Sequence, residues 1–286
     1  MPLAVGRSLL AAAGLLTVLC SPDAALFVDT AETPNGLHCQ GVRAASLWCL
    51  AGPSETGRLI SRILVVVVLV AVLIGFRPKW TCFPHWYVAF SFAATMPMSN
   101  GGDSIAQIAT MLLIPLCLGD DRTWQWTQPT RPLTSRWRGS ALAAHLATRA
   151  QISLIYGGAV TFKLMDAPWR HGGAMYLVAQ HPRYGFPFSL REVLAPALNS
   201  YWFVAALSWS VMAVQVVMAV LILGRRKHRV LALVLGTGLH LGIMFLLSLM
   251  TFGLVMIALL IIGSASVTRT QQLDRPDIVA KEGNRT

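Results

Sequence analysis

Charged residues are scarce in this chain of 286 residues. Asp, Glu, Lys and Arg together make up 12% of the sequence, whereas hydrophobic residues make up 55%. A soluble globular domain carries about 25% charged residues. The composition therefore excludes an ordinary soluble protein and predicts an integral protein of the lipid bilayer.

Acidic residues are the scarcer charge, because 12 Asp and Glu stand against 23 Lys and Arg, a formal net charge of +11. Such an excess could indicate binding to nucleic acid. However, the basic residues lie in short clusters between apolar runs and form no continuous patch. We therefore predict no nucleic-acid partner and interpret the clusters as signals of membrane topology.

Motifs that bind metal ions are also missing, since the chain has neither a CxxC nor an HExxH motif. We predict no metal site. Internal repeats are missing as well, whereas transporters usually show repeats or broken half-helices in both halves. Transport is therefore one of the weaker interpretations.

Long apolar runs are abundant, and a spanning helix needs about 20 such residues. We predict an all-α, polytopic membrane bundle of about eight spans. The first resembles a signal peptide, but Leu19 lacks the small side chain that cleavage requires, so we expect an uncleaved anchor. The last run is too long for one crossing and is split near "LSLMT". The predicted spans are 5–28, 63–76, 86–98, 104–118, 139–162, 200–223 and two within 230–263.

The predicted domain organisation is one membrane domain, 1–265, and a disordered tail, 266–286. The segment between the fifth and sixth spans has too many charges and prolines to cross the bilayer, yet it is rich in aromatic residues. We interpret it as an interfacial or re-entrant cover. The Lys and Arg bias places both termini in the cytoplasm of a multi-pass cell-membrane protein. Lys163 then faces outward.

Ionisable residues inside a membrane are costly and are candidates for function. His145, Arg149, Tyr156 and Lys163 fall on one stripe of the fifth span. The alternative is that Arg149 and Lys163 are anchors that extend to the lipid headgroups. Near Lys163, the Gly157–Gly158 pair would permit close helix packing or the approach of a ligand.

Three further polar positions have a structural and a functional interpretation each. His240, in the seventh span, is either a packing residue that forms hydrogen bonds or a site residue. Asp103 either caps the fourth helix or lines a pocket. Gln151 either pairs with another helix or lies in the site.

Five cysteines are present, and two of them, Cys39 and Cys49, share the first outer loop. A pair on the oxidising face predicts a disulfide, although the spacing of ten residues also permits two free thiols.

The segments "RAQISLIYGGAVTFKLMDAPW" (149–169) and "LHLGIMFLLSLMTFGLVMIAL" (239–259) resemble the HTTM membrane domain of vitamin K-dependent gamma-carboxylases and their relatives. In that family the matching lysine is regarded as the base that activates reduced vitamin K, and a later histidine matches His240. The carboxylases carry His near the start of the fourth span, where this chain has Asp103. The matching residues are Arg149, Gln151, Tyr156, Lys163, Trp169 and Gly172.

A bacterial branch, the sporulation-delaying protein B family, resembles the chain more closely. "GRSLLAAAGLLTVL", the Cys39/Cys49 loop and "NGGDSIAQIATMLLIPLCLGDDRTWQW" carry this resemblance. It implies maturation of a secreted antimicrobial toxin peptide, with the peptide precursor as partner and a small accessory maturation protein as a second.

Two functions from different classes follow. In the first, the chain is a peptide-modifying enzyme of the gamma-carboxylase type. Lys163 acts there as general base, His240 binds the reacting oxygen, and a reduced quinone of the vitamin K or menaquinone type is the cofactor. In the second, the chain is a non-catalytic chaperone that holds the precursor at the outer leaflet. An immunity or transport subunit is the weaker alternative.

Overall fold

The computed structural model describes residues 1–29, 33, 36–96, 101–129 and 134–265, and all helices in these ranges belong to one membrane bundle without β-strands. One 3-10 helix spans Gly41–Ala45. The α-helices are α1 (Pro2–Cys20), α2 (Asp23–Leu26), α3 (Leu47–Ala51), α4 (Glu55–Leu73), α5 (Pro78–Thr95), α6 (Gly101–Leu118), α7 (Ser135–Met165), α8 (Ala167–Arg170), α9 (Ala174–Gln180), α10 (Phe188–Val193), α11 (Ala195–Leu198), α12 (Tyr201–Leu221), α13 (Arg226–Leu246) and α14 (Met250–Ser264).

Each of the eight predicted spans overlaps one long helix, and the all-α membrane class is confirmed. The bounds differ, since α1 ends at Cys20 rather than at residue 28 and α4 begins at Glu55 rather than at residue 63. Five of them, α1, α4, α6, α12 and α13, are long and apolar enough to cross a bilayer, and α14 is a shorter apolar helix. The last apolar run breaks where predicted, at Ser248, whose φ of 54° lies in the left-handed region. The helix α5 begins at Pro78 rather than at residue 86. A proline is favoured in the first turn, and a helix continues through polar residues that a search for apolar runs leaves out.

The long helices form two groups, which meet at α14 and at the contact between α6 and α7. The first helix group contains α1, α4, α5 and α6, and the second helix group contains α7, α12, α13 and α14. The helix α14 packs against α1 and α6 as well as against α7 and α13. Gly6 permits the close approach of α1, because a Cβ atom there would lie 2.4 Å from Ile262 Cγ1. The first helix is therefore an integral part of the core.

Arg7 links α1 to the loop that follows α6. Its side chain is 1% exposed, and Nη1 donates a hydrogen bond of 3.0 Å to Gln125 Oε1. Nη2 donates to Thr81 Oγ1, and Gln125 Nε2 donates to Ser8 Oγ at 2.8 Å. A buried cation is tolerated only where hydrogen bonds replace its lost hydration. These bonds fix the loop against the N-terminal ends of α1 and α5.

The predicted disulfide between Cys39 and Cys49 is confirmed, and the two Cα atoms lie 5.6 Å apart. The bridge closes the segment that contains the 3-10 helix and the start of α3. Trp48, beside Cys49, is 1% exposed and packs on Phe27 and Phe92, with ring centroids 6.2 and 5.0 Å away. This loop is thus held both by the disulfide and by an aromatic cluster.

We expect the Cys39→Ser/Cys49→Ser variant to lose roughly 2–3 kcal/mol of unfolding free energy. Without the disulfide, the unfolded chain is no longer closed into a loop and gains conformational entropy, which favours unfolding. Mass spectrometry of non-reduced peptides from native membranes should show the linked pair. Alkylation of both thiols without prior reduction would contradict this prediction. The Cys82→Ser variant is a control, since Cys82 is a free buried thiol.

The four short helices α8 to α11 lie between α7 and α12, where the sequence predicts an interfacial or re-entrant cover. Phe186 and Leu198 of this segment are buried together with Ala179 in a small apolar cluster. The cover is therefore a packed element with a core of its own. The predicted tail, 266–286, lies outside the described residues.

Reporter fusions after residues 55, 130, 180 and 275 test the orientation. We expect them to report outside, inside, outside and inside, because the basic residues cluster on the side of the two termini. An outside signal at residue 130 would place Lys163 in the cytoplasm and overturn the topology.

Candidate functional site

Lys163 and Trp169, predicted as site residues, are brought into contact by the structure. Lys163 lies half-buried in the last turn of α7, and its Nζ atom is 5.0 Å from the centroid of the Trp169 ring. A cation over an aromatic face at this distance is attracted by about 0.5–2 kcal/mol. Within the described ranges, no carboxylate and no hydrogen-bond acceptor contacts Lys163. Its amine is therefore not committed to an ion pair.

The turn after Lys163 is built by backbone geometry. Asp166 is extended, with φ −94° and ψ 125°, and ends α7. Pro168 then lies in the first turn of α8, where its missing N–H costs nothing, and it directs Trp169 back toward Lys163. This turn therefore explains why the helix ends just after the lysine.

Ser208 of α12 holds the segment that follows Trp169. Its hydroxyl donates to the carbonyl of Gly172 at 2.9 Å and accepts from the N–H of Met175 at 3.1 Å. The Ser208 side chain is completely buried. Gly172 has φ +79°, and a Cβ atom there would lie 2.6 Å from Ala205 Cβ. The position of Trp169 thus depends on a glycine and a serine that fit the turn between α8 and α9 onto α12.

Tyr156 and His240 form a second pair deeper in the bundle. The Tyr156 hydroxyl and His240 Nε2 are 2.8 Å apart, and the two side chains are 1% and 2% exposed. His240 Nδ1 is buried and has no hydrogen-bond partner among the described residues. Tyr156 precedes Lys163 by seven residues of α7, so it lies about 10 Å below the lysine along the helix. The structure therefore does not bring His240 directly to Lys163.

We expect the Tyr156→Phe variant to lose about 1–3 kcal/mol of unfolding free energy, because the loss of the hydroxyl leaves both buried His240 nitrogens unpaired. Thermal unfolding of the purified protein in detergent checks this. The control is Tyr201→Phe, whose hydroxyl bonds to the His171 carbonyl at an exposed position. Equal melting temperatures for the two variants would contradict the prediction.

Arg149, also predicted as a site residue, closes the end of α14. Its Nε donates to the Gly263 carbonyl at 3.0 Å, and Nη2 donates to the Ala265 carbonyl at 3.0 Å. His145 Nε2 lies 2.9 Å from the same Ala265 oxygen. A cation at the last carbonyls of a helix satisfies them and opposes the helix dipole. The N-terminal half of the α7 stripe thus contacts a helix end, about 21 Å from Lys163.

The remaining predicted residues lie in different surroundings. Gln151 is half-buried on α7, two residues from Arg149 and about 18 Å along the helix from Lys163. Asp103 lies in the first turn of α6 and lines a crevice in the first helix group. Gly157 and Gly158 are open, since no described atom would lie within 4 Å of a Cβ built on either. The glycine pair therefore leaves room for lipid or a ligand.

Sequence reasoning missed His85 and Ser208. His85 lies on α5, is 3% exposed and lines the same crevice as Asp103. It follows Lys79, Trp80 and Phe83, which are typical of a membrane interface and hide its role. The available signal was its helical spacing to Val88, Ala89 and Phe92, which indicates the buried face of α5. Ser208 stands in an apolar run and gives no signal in a single sequence.

No group of three His, Cys, Asp or Glu side chains suited to a metal ion occurs in the ranges that the structure describes. Lys163 and Trp169 offer instead an amine in contact with an aromatic face. These groups suit a neutral aromatic molecule with a hydroxyl group.

Comparison with known proteins gives two relatives, both from Bacillus subtilis strain 168. The uncharacterized protein YitO is 28% identical over 271 residues, which cover 94% of this chain and 86% of the relative. The sporulation-delaying protein SdpB is 30% identical over 260 residues, which cover 91% of this chain and 79% of the relative. No family model and no solved structure matches the chain.

Proposed function

This chain belongs to the family of the sporulation-delaying protein SdpB, and we propose that it is a cell-membrane factor that matures a secreted antimicrobial toxin peptide. The observation that carries the proposal is the relationship to SdpB, which extends over nearly the whole bundle. The partners in this proposal are the peptide precursor and a small accessory maturation protein.

We propose further that Lys163 is the general base of this maturation and acts at the outer face. Its amine lies against Trp169, is half-buried and has no ion-pair partner among the described residues. A neutral lysine amine can take a proton from a hydroxyl or an amide group, so that one O–H or N–H bond breaks and one N–H bond forms on Nζ. Trp169 would orient the reacting molecule by stacking.

The resemblance to the HTTM domain suggests a reduced quinone of the vitamin K or menaquinone type as cofactor. The chain fits such a group, because the Trp169 ring and the half-buried Lys163 amine lie in contact with each other. A quinol, when bound, would supply an acidic hydroxyl. Lys163 would accept that proton, and Trp169 would hold the ring plane. Carboxylation of the peptide, as in the gamma-carboxylases, is the alternative reaction within this proposal.

A non-catalytic chaperone is the second candidate, and one observation favours it. The larger of the two cavities beside the first helix group has a volume of about 360 Å³, and no residue of α7 lines either cavity. A peptide held there would be separate from Lys163. Holding the precursor, without chemistry on it, would then be sufficient.

The proposed function is tested by deletion of the gene in cells that secrete the peptide. We expect the precursor to be made and the mature peptide to disappear from the medium, with recovery when the wild-type gene is restored. Mature peptide at the wild-type level in the deletion strain would exclude both the enzyme and the chaperone.

A further inference from the structure

A crevice opens at the outer ends of α1, α5, α6 and α14. Its mouth has a volume of about 360 Å³ and is lined by Leu16, Leu26, Met96, Met250, Asp103 and Arg183. A recess of about 30 Å³ continues into the first helix group. Thr17, Asp103 and Thr251 line both parts, so the mouth and the recess adjoin each other. A volume of a few hundred Å³ is typical of sites for small ligands.

His85 is the polar side chain that remains for a ligand in the recess. It is 3% exposed, and no hydrogen bond of its ring is found in the described part of the chain. The hydroxyl groups of the threonines are committed to their own helices. Thr110 Oγ1 donates to the Ala106 carbonyl at 2.8 Å, and Thr17 Oγ1 donates to the Ala13 carbonyl at 3.2 Å.

A buried polar group without a partner is costly, so an imidazole at a recess indicates that something enters it. The recess has room for about one water molecule or a small chemical group. An aromatic ring needs a much larger cavity, which excludes a quinone ring at this depth. His85 would therefore meet a small side chain, an amide or a bridging water.

The mouth combines apolar walls with both signs of charge. Leu16, Leu26 and Met96 are apolar, whereas Asp103 comes from α6 and Arg183 from the cover segment. A lipid tail offers no hydrogen-bonding group to His85. An extended peptide offers apolar side chains and amide groups in one molecule, and flexible methionines adapt to different side chains.

We propose that this crevice binds an apolar, extended segment of the secreted peptide, with His85 as the hydrogen-bonding group at its base. The inference rests on the proposed function and adds to it a substrate-binding site. Because no residue of α7 lines the crevice, this site is distinct from the Lys163–Trp169 pair. The crevice would hold one part of the peptide while another part reaches the outer end of α7.

Cys20 provides a reporter for this site. It lines the mouth and is exposed, whereas Cys82 and Cys117 are buried and Cys39 and Cys49 form the disulfide. A maleimide should therefore label purified full-length protein at Cys20. The probes are synthetic peptides tiled across the secreted precursor.

We expect one of these peptides to slow the labelling of Cys20 about tenfold when it is present at ten times its dissociation constant. The His85→Leu variant should lose this protection. Gln215→Leu should keep it, since Gln215 is also a buried polar side chain with an unpartnered atom but lies on α12. Leu16→Trp, at the mouth, should weaken the protection without a change in the recess.

Several outcomes would overturn the proposal. One is that none of the peptides slows the labelling, and another is that His85→Leu and Leu16→Trp both keep full protection. Equal protection by phospholipid vesicles without peptide would show a lipid site instead. The result is separable from the proposed function. If maturation is lost in the deletion strain but no peptide protects Cys20, only the crevice as a binding site is refuted. If a peptide protects Cys20 but the deletion strain matures the peptide normally, the proposed function is refuted.

Discussion

The Gly172→Ala variant should unfold at a clearly lower temperature than the wild type and should mature little peptide. Gly172 has φ +79°, a conformation that costs an L-residue about 1–2 kcal/mol. Its new Cβ atom would also lie 2.6 Å from Ala205 Cβ and 2.8 Å from Ala205 Cα. Overpacking of this kind costs roughly 1–3 kcal/mol. Relief of the contact requires the turn that contains Gly172 to move away from α12, and Trp169 lies only three residues before this glycine.

The neighbouring glycine is the matched control. Gly173 has φ −84°, and the nearest atom to a Cβ built there is the Pro168 carbonyl oxygen at 4.0 Å. Gly173→Ala should therefore melt close to the wild-type temperature and mature the peptide normally. Thermal unfolding in detergent and the yield of mature peptide give the comparison. Equal behaviour of the two variants would show that the packing of Gly172 on Ala205 does not position the site.

Much of the fold could be predicted from the sequence, because the bilayer requires long apolar helices and long apolar runs are easily recognised in a sequence. The disulfide was predictable for a similar reason, since Cys39 and Cys49 share one short outer loop. The contact of Lys163 with Trp169 also follows from local sequence, because Pro168 and the six-residue separation determine a tight turn.

The site could be predicted only in part, because periodicity shows which face of a helix is buried but not which helix packs against it. Arg149 and Lys163 share a stripe of α7, yet Arg149 bonds to the end of α14 and Lys163 contacts the cover. Tyr156 and His240 are distant in sequence and meet only because α7 and α13 both pack on α14. Asp103 lies on α6, across the bundle from α13. These relations depend on side-chain packing between helices, which a single sequence does not show.

The Lys163→Arg variant should have the largest effect on function. Arginine is as long as lysine, extends to the headgroups equally well and is attracted to an aromatic face. It would therefore keep both the anchoring role and the contact with Trp169. However, arginine stays protonated in proteins and cannot act as a base. General base catalysis contributes about 10²–10⁴-fold to a rate, so maturation should fall by at least about a hundredfold.

Lys79→Arg is the control for this exchange, because Lys79 pairs with Asp121 at 2.8 Å on the surface and lies far from the outer end of α7. It should mature the peptide at the wild-type rate. The membrane level of both variants is measured by immunoblotting, so that a loss of protein is not mistaken for a loss of chemistry.

The measurement that tests the central claim most directly is the mass and amount of the peptide secreted by cells whose only copy of the protein carries Lys163→Arg. If Lys163 is the working base, the variant accumulates in the membrane at the wild-type level and the medium contains no mature peptide. If the variant accumulates normally and the mature peptide appears with the wild-type mass and at the wild-type rate, Lys163 is an anchor and the catalytic account is wrong.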